Sequence, residues 1–138
     1  MTLSDTLREQ AATRANHQCE YCLLHDEDAL APHEADHIRP LKHHGPSTLD
    51  NLAYACFRCN RHKGTDIARY DNETGRLIPL FNPRTDPWRE HFTVREGFIH
   101  PLTATGRVTV DLLRLNLPER VEERMALTNA GRYPLKVP

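Results

Sequence analysis

No run in the sequence approaches the roughly 18 consecutive apolar residues that a membrane-spanning helix requires. The opening MTLSDTLREQ lacks the apolar stretch of a secretory signal, so the expected address is the cytoplasm. Charge of one sign is missing too: 18 Lys and Arg against 19 Asp and Glu give a formal net charge of −1. That excludes a broad positive field, and any phosphate binding has to come from a local basic patch. Hydrophobic residues reach only 38%, prolines number 10 and mean hydropathy is −0.65, so the core is expected to be modest and to need support beyond apolar burial. No internal repeat is visible, and no linker is long enough to set off a second domain. The 138 residues are therefore expected to form one unit, 1–138.

What the sequence does have is cysteine in matched pairs. Cys19-Glu-Tyr-Cys22 and Cys56-Phe-Arg-Cys59 are two CxxC knuckles separated by 33 residues. Structural disulfides are not expected in a reducing compartment. A redox CxxC belongs in a βαβ setting, and nothing around these pairs reads that way. Two knuckles meeting at one ion give the tetrahedral thiolate shell of a structural zinc. Four thiolates leave no open position, so such an ion staples the chain and chemistry must sit elsewhere. The staple would close a loop whose ends meet, and seven of the nine histidines fall between positions 17 and 62.

Local signals supply a scaffold. Ser4 caps a helix running through Leu7, Ala11 and Ala12 to about Ala15, closed by His17. Ala35–Ile38 reads as a short strand stopped by Pro40, whose ring cannot continue a central ladder. Residues 41–51, with Gly45-Pro46-Ser47, have loop chemistry; Leu52–Ala55 reads as the returning strand, and a helix is expected from Asn60 to about Ala68. Farther on, Ile67–Tyr70 and Leu77–Leu80 flank a turn at 71–75, a second hairpin surrounds Glu96-Gly97, and an amphipathic stretch opens at Thr105-Gly106. Pro118 starts a last helix expected to pack through Val121, Met125 and Leu127.

The strand–loop–strand–helix unit resembles the HNH endonuclease family. The matching residues are Asp36-His37-Ile38 on the first strand, Asn51 at the start of the second, and Cys59-Asn60-Arg61-His62-Lys63-Gly64 into the helix. His37 stands 14 residues before Asn51 and 23 before Asn60, close to the family's separations, and the paired cysteines resemble its zinc-stapled members. The motifs cover about residues 17–68; residues 77–84 with Asp86-Pro87-Trp88 resemble the stretch after the core in small stand-alone bacterial members. The resemblance implies an α+β fold with a ββα-metal (His-Me finger) core and a four-cysteine zinc site. Peripheral hairpins and C-terminal helices would form an extension over about 76–138.

It also implies roles. His37 would be the general base, and Asn51 would hold the loop that supports it, a nearby carbonyl orienting the imidazole. Asp36 and Asn60 would hold a catalytic divalent ion, Mg with Mn or Ni as alternatives, while Cys19, Cys22, Cys56 and Cys59 hold zinc. An Asp-His dipeptide on a strand points its side chains to opposite faces, and a twisted strand end has to relax that rule. His62 is the competing ligand: two positions from Asn60 on a helix, it cannot face the same ion, and it suits transition metals where the amide oxygen of Asn60 suits Mg²⁺. His43 and His44, beside Gly45, are expected in solvent or near phosphate; His17, His25, His33, His91 and His100 receive no role.

Arg39, Lys42, Arg58, Arg61 and Lys63 form a small local positive excess, and Arg61 and Lys63 at the helix start are the expected nucleic-acid contacts. Three functions compete: a metal-dependent endonuclease acting on DNA, a zinc-stapled nucleic-acid-binding module without cleavage, and a zinc scaffold for protein partners. The Asp36, His37 and Asn60 set favours the first, because binding alone does not require a base beside a ligand. Nothing in the sequence calls for an obligatory protein partner or a membrane.

Overall fold

A computed structural model describes residues 4–138. The first helix, α1 (Asp5–Arg14), starts where Ser4 accepts a hydrogen bond from the Leu7 amide, and it buries Ala11 and Ala12. Small residues on that face let α1 lie close against the strands after it, and Arg14 at its end donates to the carbonyls of Leu49 and Leu52 at 2.6 Å. Asn16 and His17 take left-handed backbone angles, and the His17 amide bonds back to Ala12, turning the chain into the first cysteine knuckle.

Strands β1 (Glu34–His37) and β2 (Leu52–Ala55) pair antiparallel, with Asp36 opposite Ala53 and His37 opposite Leu52. The first strand begins one residue earlier than the sequence suggests; Ile38 still donates to the Asn51 carbonyl as pairing ends. All four residues of β2 are buried, whereas β1 is half open, so one strand serves the core and the other serves the site.

Helix α2 spans Phe57–Lys63, three residues earlier in its start and five earlier in its end than the sequence-based expectation of Asn60 to Ala68. The reason is local chemistry. Cys56 is the N-cap, its sulfur accepting from the Cys59 amide, and Gly64 ends the helix at φ +51°, a conformation that glycine takes without a Cβ penalty.

The remaining chain adds the hairpin β3 (Ala68–Tyr70) and β4 (Leu77–Pro79), the short helix α3 (Trp88–His91), and the hairpin β5 (Phe92–Arg95) and β6 (Phe98–Pro101). Two helices complete the chain, α4 (Ala104–Leu112) and α5 (Pro118–Asn129), the latter with proline in its first turn as read from the sequence. The inward face of α5 differs from that expectation. Arg120, Val121 and Arg124 are buried, while Met125 is 43% exposed. The two guanidinium groups are tolerated inside because carbonyls receive them: Arg124 donates to Gly97 and Leu115, and Arg120 to Leu113.

The apolar cluster draws on both halves of the chain. Cys19, Tyr21 and Cys22 of the first knuckle pack with Ala53, Ala55 and Cys59, and with Phe81, Trp88, Phe92, Leu113 and Tyr133. Trp88 Nε1 donates to the Tyr21 carbonyl and Tyr133 Oη to that of Cys22, so downstream aromatic residues clamp the knuckle by its backbone. The result is a mixed helix and strand fold. Among the described residues, no helix is long and apolar enough to cross a membrane.

Candidate active site

The loop between β1 and β2 is built around one buried amide. Asn51 accepts from the Arg39 amide at 3.0 Å and donates to the carbonyls of Arg39 (3.0 Å) and Pro46 (2.8 Å). These three bonds fix the two ends of the loop relative to each other. Gly45 is buried at their centre, and a Cβ there would collide with the Arg39 carbonyl oxygen and lie 2.9 Å from Asn51 Nδ2. Only glycine fits without moving backbone. Gly45→Ala is therefore expected to cost about 3 kcal/mol, the upper range for overpacking, which for a chain of this size lowers the melting temperature by about 10 °C. Circular dichroism melting is the check, and an unchanged midpoint would contradict the close approach.

The ordered loop carries Ser47 to His37. His37 Nε2 and Ser47 Oγ are 2.9 Å apart, so a side-chain hydroxyl holds the imidazole where the family resemblance suggests a carbonyl. With Nε2 donating to Ser47, Nδ1 keeps the lone pair that a base needs. Ser47 carries no sequence signal beyond its place after Gly45-Pro46.

Asp36 looks the other way, towards α2, and only 18% of its side chain is accessible. Its Oδ2 is 3.4 Å from Lys63 Nζ, and the same ammonium donates to the His37 carbonyl at 3.2 Å. Lys63 is only 2% exposed. The sequence places Lys63 on phosphate; the fold turns it inward, where it ties the Asp36-His37 dipeptide to the helix. Burial pushes the Asp36 carboxyl above its ordinary value, with Lys63 and then His37 pulling against that shift. Asp36 Oδ2 is closed to solvent and has no hydrogen-bond partner of good geometry, so the accessible remainder belongs to the other atoms of the side chain. An under-satisfied carboxylate of this kind suits a cation.

The helix separates Asn60 from His62. Lys63 faces Asp36, and Asn60, three positions earlier, is about 60° from it around the axis, whereas His62 is about 160° from Asn60. His62 instead lines a groove with Arg114, Leu117 and Pro118. Desolvation lowers its pKa, helped by Arg114, Arg120 and Arg61. His43 and His44 are exposed on the loop, and Arg61 is exposed on α2.

A second centre lies behind α2. The sulfurs of Cys19, Cys22, Cys56 and Cys59 are all buried and lie within 4.8 Å of one another, with Cys22 and Cys56 3.7 Å apart. A tetrahedral ion with bonds of about 2.3 Å has an edge of about 3.8 Å, so the four residues fit such an ion. Burial pushes the Cys19 thiol well above its ordinary value, which opposes a full set of thiolates without a cation. One cation is supplied by the protein. Arg120 Nη2 donates to Cys59 Sγ at 3.1 Å from a position 3% exposed, and its pKa is raised by the three nearest sulfurs in spite of desolvation. The sequence hints at this arrangement only through the i, i+4 spacing of Arg120 and Arg124 around Val121, which places charge on the face that packs.

An imidazole held by a hydroxyl, a largely buried carboxylate and a cluster of four cysteines thus fall within one chain segment, residues 19–63. Residues 19–66 match the HNH endonuclease family. The resemblance read from the motif residues therefore stands for this segment, and the match contains His37, Asn51, Asp36, Asn60 and the four cysteines, while Arg114 and Arg120 lie outside it. Beyond it, the chain is 27% identical over 109 residues to the Septu protein PtuB of Bacillus thuringiensis, an alignment covering 78% of this chain and 40% of that protein. The chain thus spans less than half the length of that relative. No solved structure matches the chain.

Proposed function

We propose that this protein is a metal-dependent endonuclease that hydrolyses phosphodiester bonds in DNA. His37 acts as general base, and a divalent ion is held by Asp36 and Asn60. The observation that carries the reading is the divergence of the Asp36-His37 dipeptide. One side chain is fixed by Ser47 across the loop and the other by Lys63 of α2, with the His37 carbonyl on the same ammonium. A binding module has no use for a base and an under-satisfied carboxylate placed together. His37 Nδ1 accepts the proton of the attacking water while Nε2–H remains on Ser47. Asn51 keeps that loop in place, and Lys63 orients Asp36. A divalent ion bound there supplies positive charge to the phosphoryl oxygens and the leaving 3′ oxygen.

The four cysteines hold a structural zinc, and residues 1–138 act as one unit, with a ββα-metal core over about 17–68 and an extension over 76–138. Arg61 contacts the nucleic acid. The test is cleavage of supercoiled plasmid by purified protein with Mg²⁺ or Mn²⁺. Asn60→Ala is expected to abolish Mg²⁺-supported cutting, and His62→Ala to reduce it only a few-fold. A dead His62→Ala beside an active Asn60→Ala would move the ligand to His62. Plasmid that is bound and never cut by the wild type would leave only a zinc-stapled binding module.

A further inference from the structure

On the side of α2 turned away from Asp36, an open groove of about 580 Å³ runs between that helix and the turn joining α4 to α5. His62, Arg69, Asp111 and Arg114 line it, together with Leu117 and Pro118. Its charges divide unevenly. Arg69 is paired with Asp111 at 2.9 Å, which leaves Arg114 in the groove and Arg61 beside it on α2. Neither guanidinium has a hydrogen-bond or ion-pair partner among the described residues, although most arginines of this chain are engaged, including the two buried on α5. Arg114 is exposed on a left-handed backbone at φ +50°. A chain with a formal net charge of −1 has here a local surplus of positive charge.

We propose that this groove binds backbone phosphates of the DNA strand on one side of the cleavage point, with Arg114 and Arg61 as the charged contacts. The proposal rests on the nuclease reading for what lies at the other end of the strand. A helix with side chains is about 10–12 Å across, and a strand advances about 3.4 Å per nucleotide. A backbone crossing α2 from Asp36 therefore reaches the groove within about three nucleotides. Lys63, turned inward on Asp36, cannot supply this contact, and Arg114 takes the place that the helix sequence alone assigned to it.

The test is fluorescence anisotropy of a labelled DNA duplex, without added divalent ion, at several salt concentrations. The slope of log K against log salt reports about 0.9 per phosphate contact. Arg114→Gln and Arg61→Gln are each expected to lower it by about 0.9 and to weaken binding several-fold. The double variant should lose about twice as much, and Arg114→Lys should retain the slope. Arg76→Gln, in the β3–β4 turn and also without a side-chain partner among the described residues, serves as the control and should match wild type. An Arg114→Gln slope equal to that of the control would overturn the proposal. Wild type that binds with these slopes and never nicks plasmid would refute the nuclease reading alone, while wild type that cuts normally with an Arg114-independent slope would refute the groove alone.

Discussion

His37→Ala is expected to slow DNA cleavage by about 10²–10⁴-fold, the range that a general base contributes, with melting temperature, metal content and DNA affinity unchanged. The structure explains why these properties separate. The imidazole is half-exposed and makes one side-chain hydrogen bond, to Ser47, while the backbone of His37 carries the pairing with Leu52 and the bond from Lys63. Truncation to Ala therefore removes the proton acceptor and leaves the strand, the helix tie and the loop in place. The measurement is a single-turnover rate on supercoiled plasmid at saturating metal, read beside calorimetric melting of the same preparation. Activity within a few-fold of wild type would assign the base elsewhere, and a large loss of stability would mean that the histidine is structural.

Cys59→Ala is expected to have the largest effect on the molecule as a whole: no bound zinc and no folded state. Zinc in small four-ligand sites contributes roughly 10–16 kcal/mol, while a domain has about 5–15 kcal/mol of net stability, so losing the ion consumes the margin. The substitution also takes from the buried Arg120 guanidinium the sulfur that accepts from it at 3.1 Å, leaving it the carbonyls of Leu113 and Arg114 and the more distant sulfur of Cys56. Metal analysis and far-UV circular dichroism check the outcome, and a strong chelator added to wild type should reproduce it. A variant that melts near wild type would remove zinc from the account of the fold.

Legibility in the sequence tracks chemical specificity. The cysteine knuckles are readable because few functions use four thiols in that spacing, and all four sulfurs come together as expected. Hairpins at 67–80 and 92–101 are readable from alternation and turn residues, and the start of α5 from Pro118. The ends of α2 are not, because a knuckle cysteine such as Cys56 reads as a metal ligand, and its second use as a helix cap leaves no trace in composition. Arg120 and the inward turn of Lys63 escape the sequence for a related reason. A charged residue is normally a surface residue, and only the tertiary fold reveals that sulfurs and a carboxylate wait for these two. Ser47 shows the limit most plainly, since a loop serine is ordinary until the imidazole is seen beside it.

The contact between Arg120 and Cys59 spans 61 positions of sequence, and that distance has a meaning in time. Ribosomes add about 5–20 residues per second, so on the order of 3–12 s separate the synthesis of the last cysteine from that of the guanidinium that offsets its charge. Tyr133, which clamps the first knuckle, emerges later still. During that interval the thiols lie in a nascent chain without their covering helix. Ribosome-arrested chains ending before Arg120 are expected to react with a thiol-alkylating reagent, and chains extended beyond Tyr133 to be protected. Equal labelling at both lengths would mean that the knuckles close by themselves. The four-cysteine centre is thus completed late, by contacts from residues made well after its last sulfur.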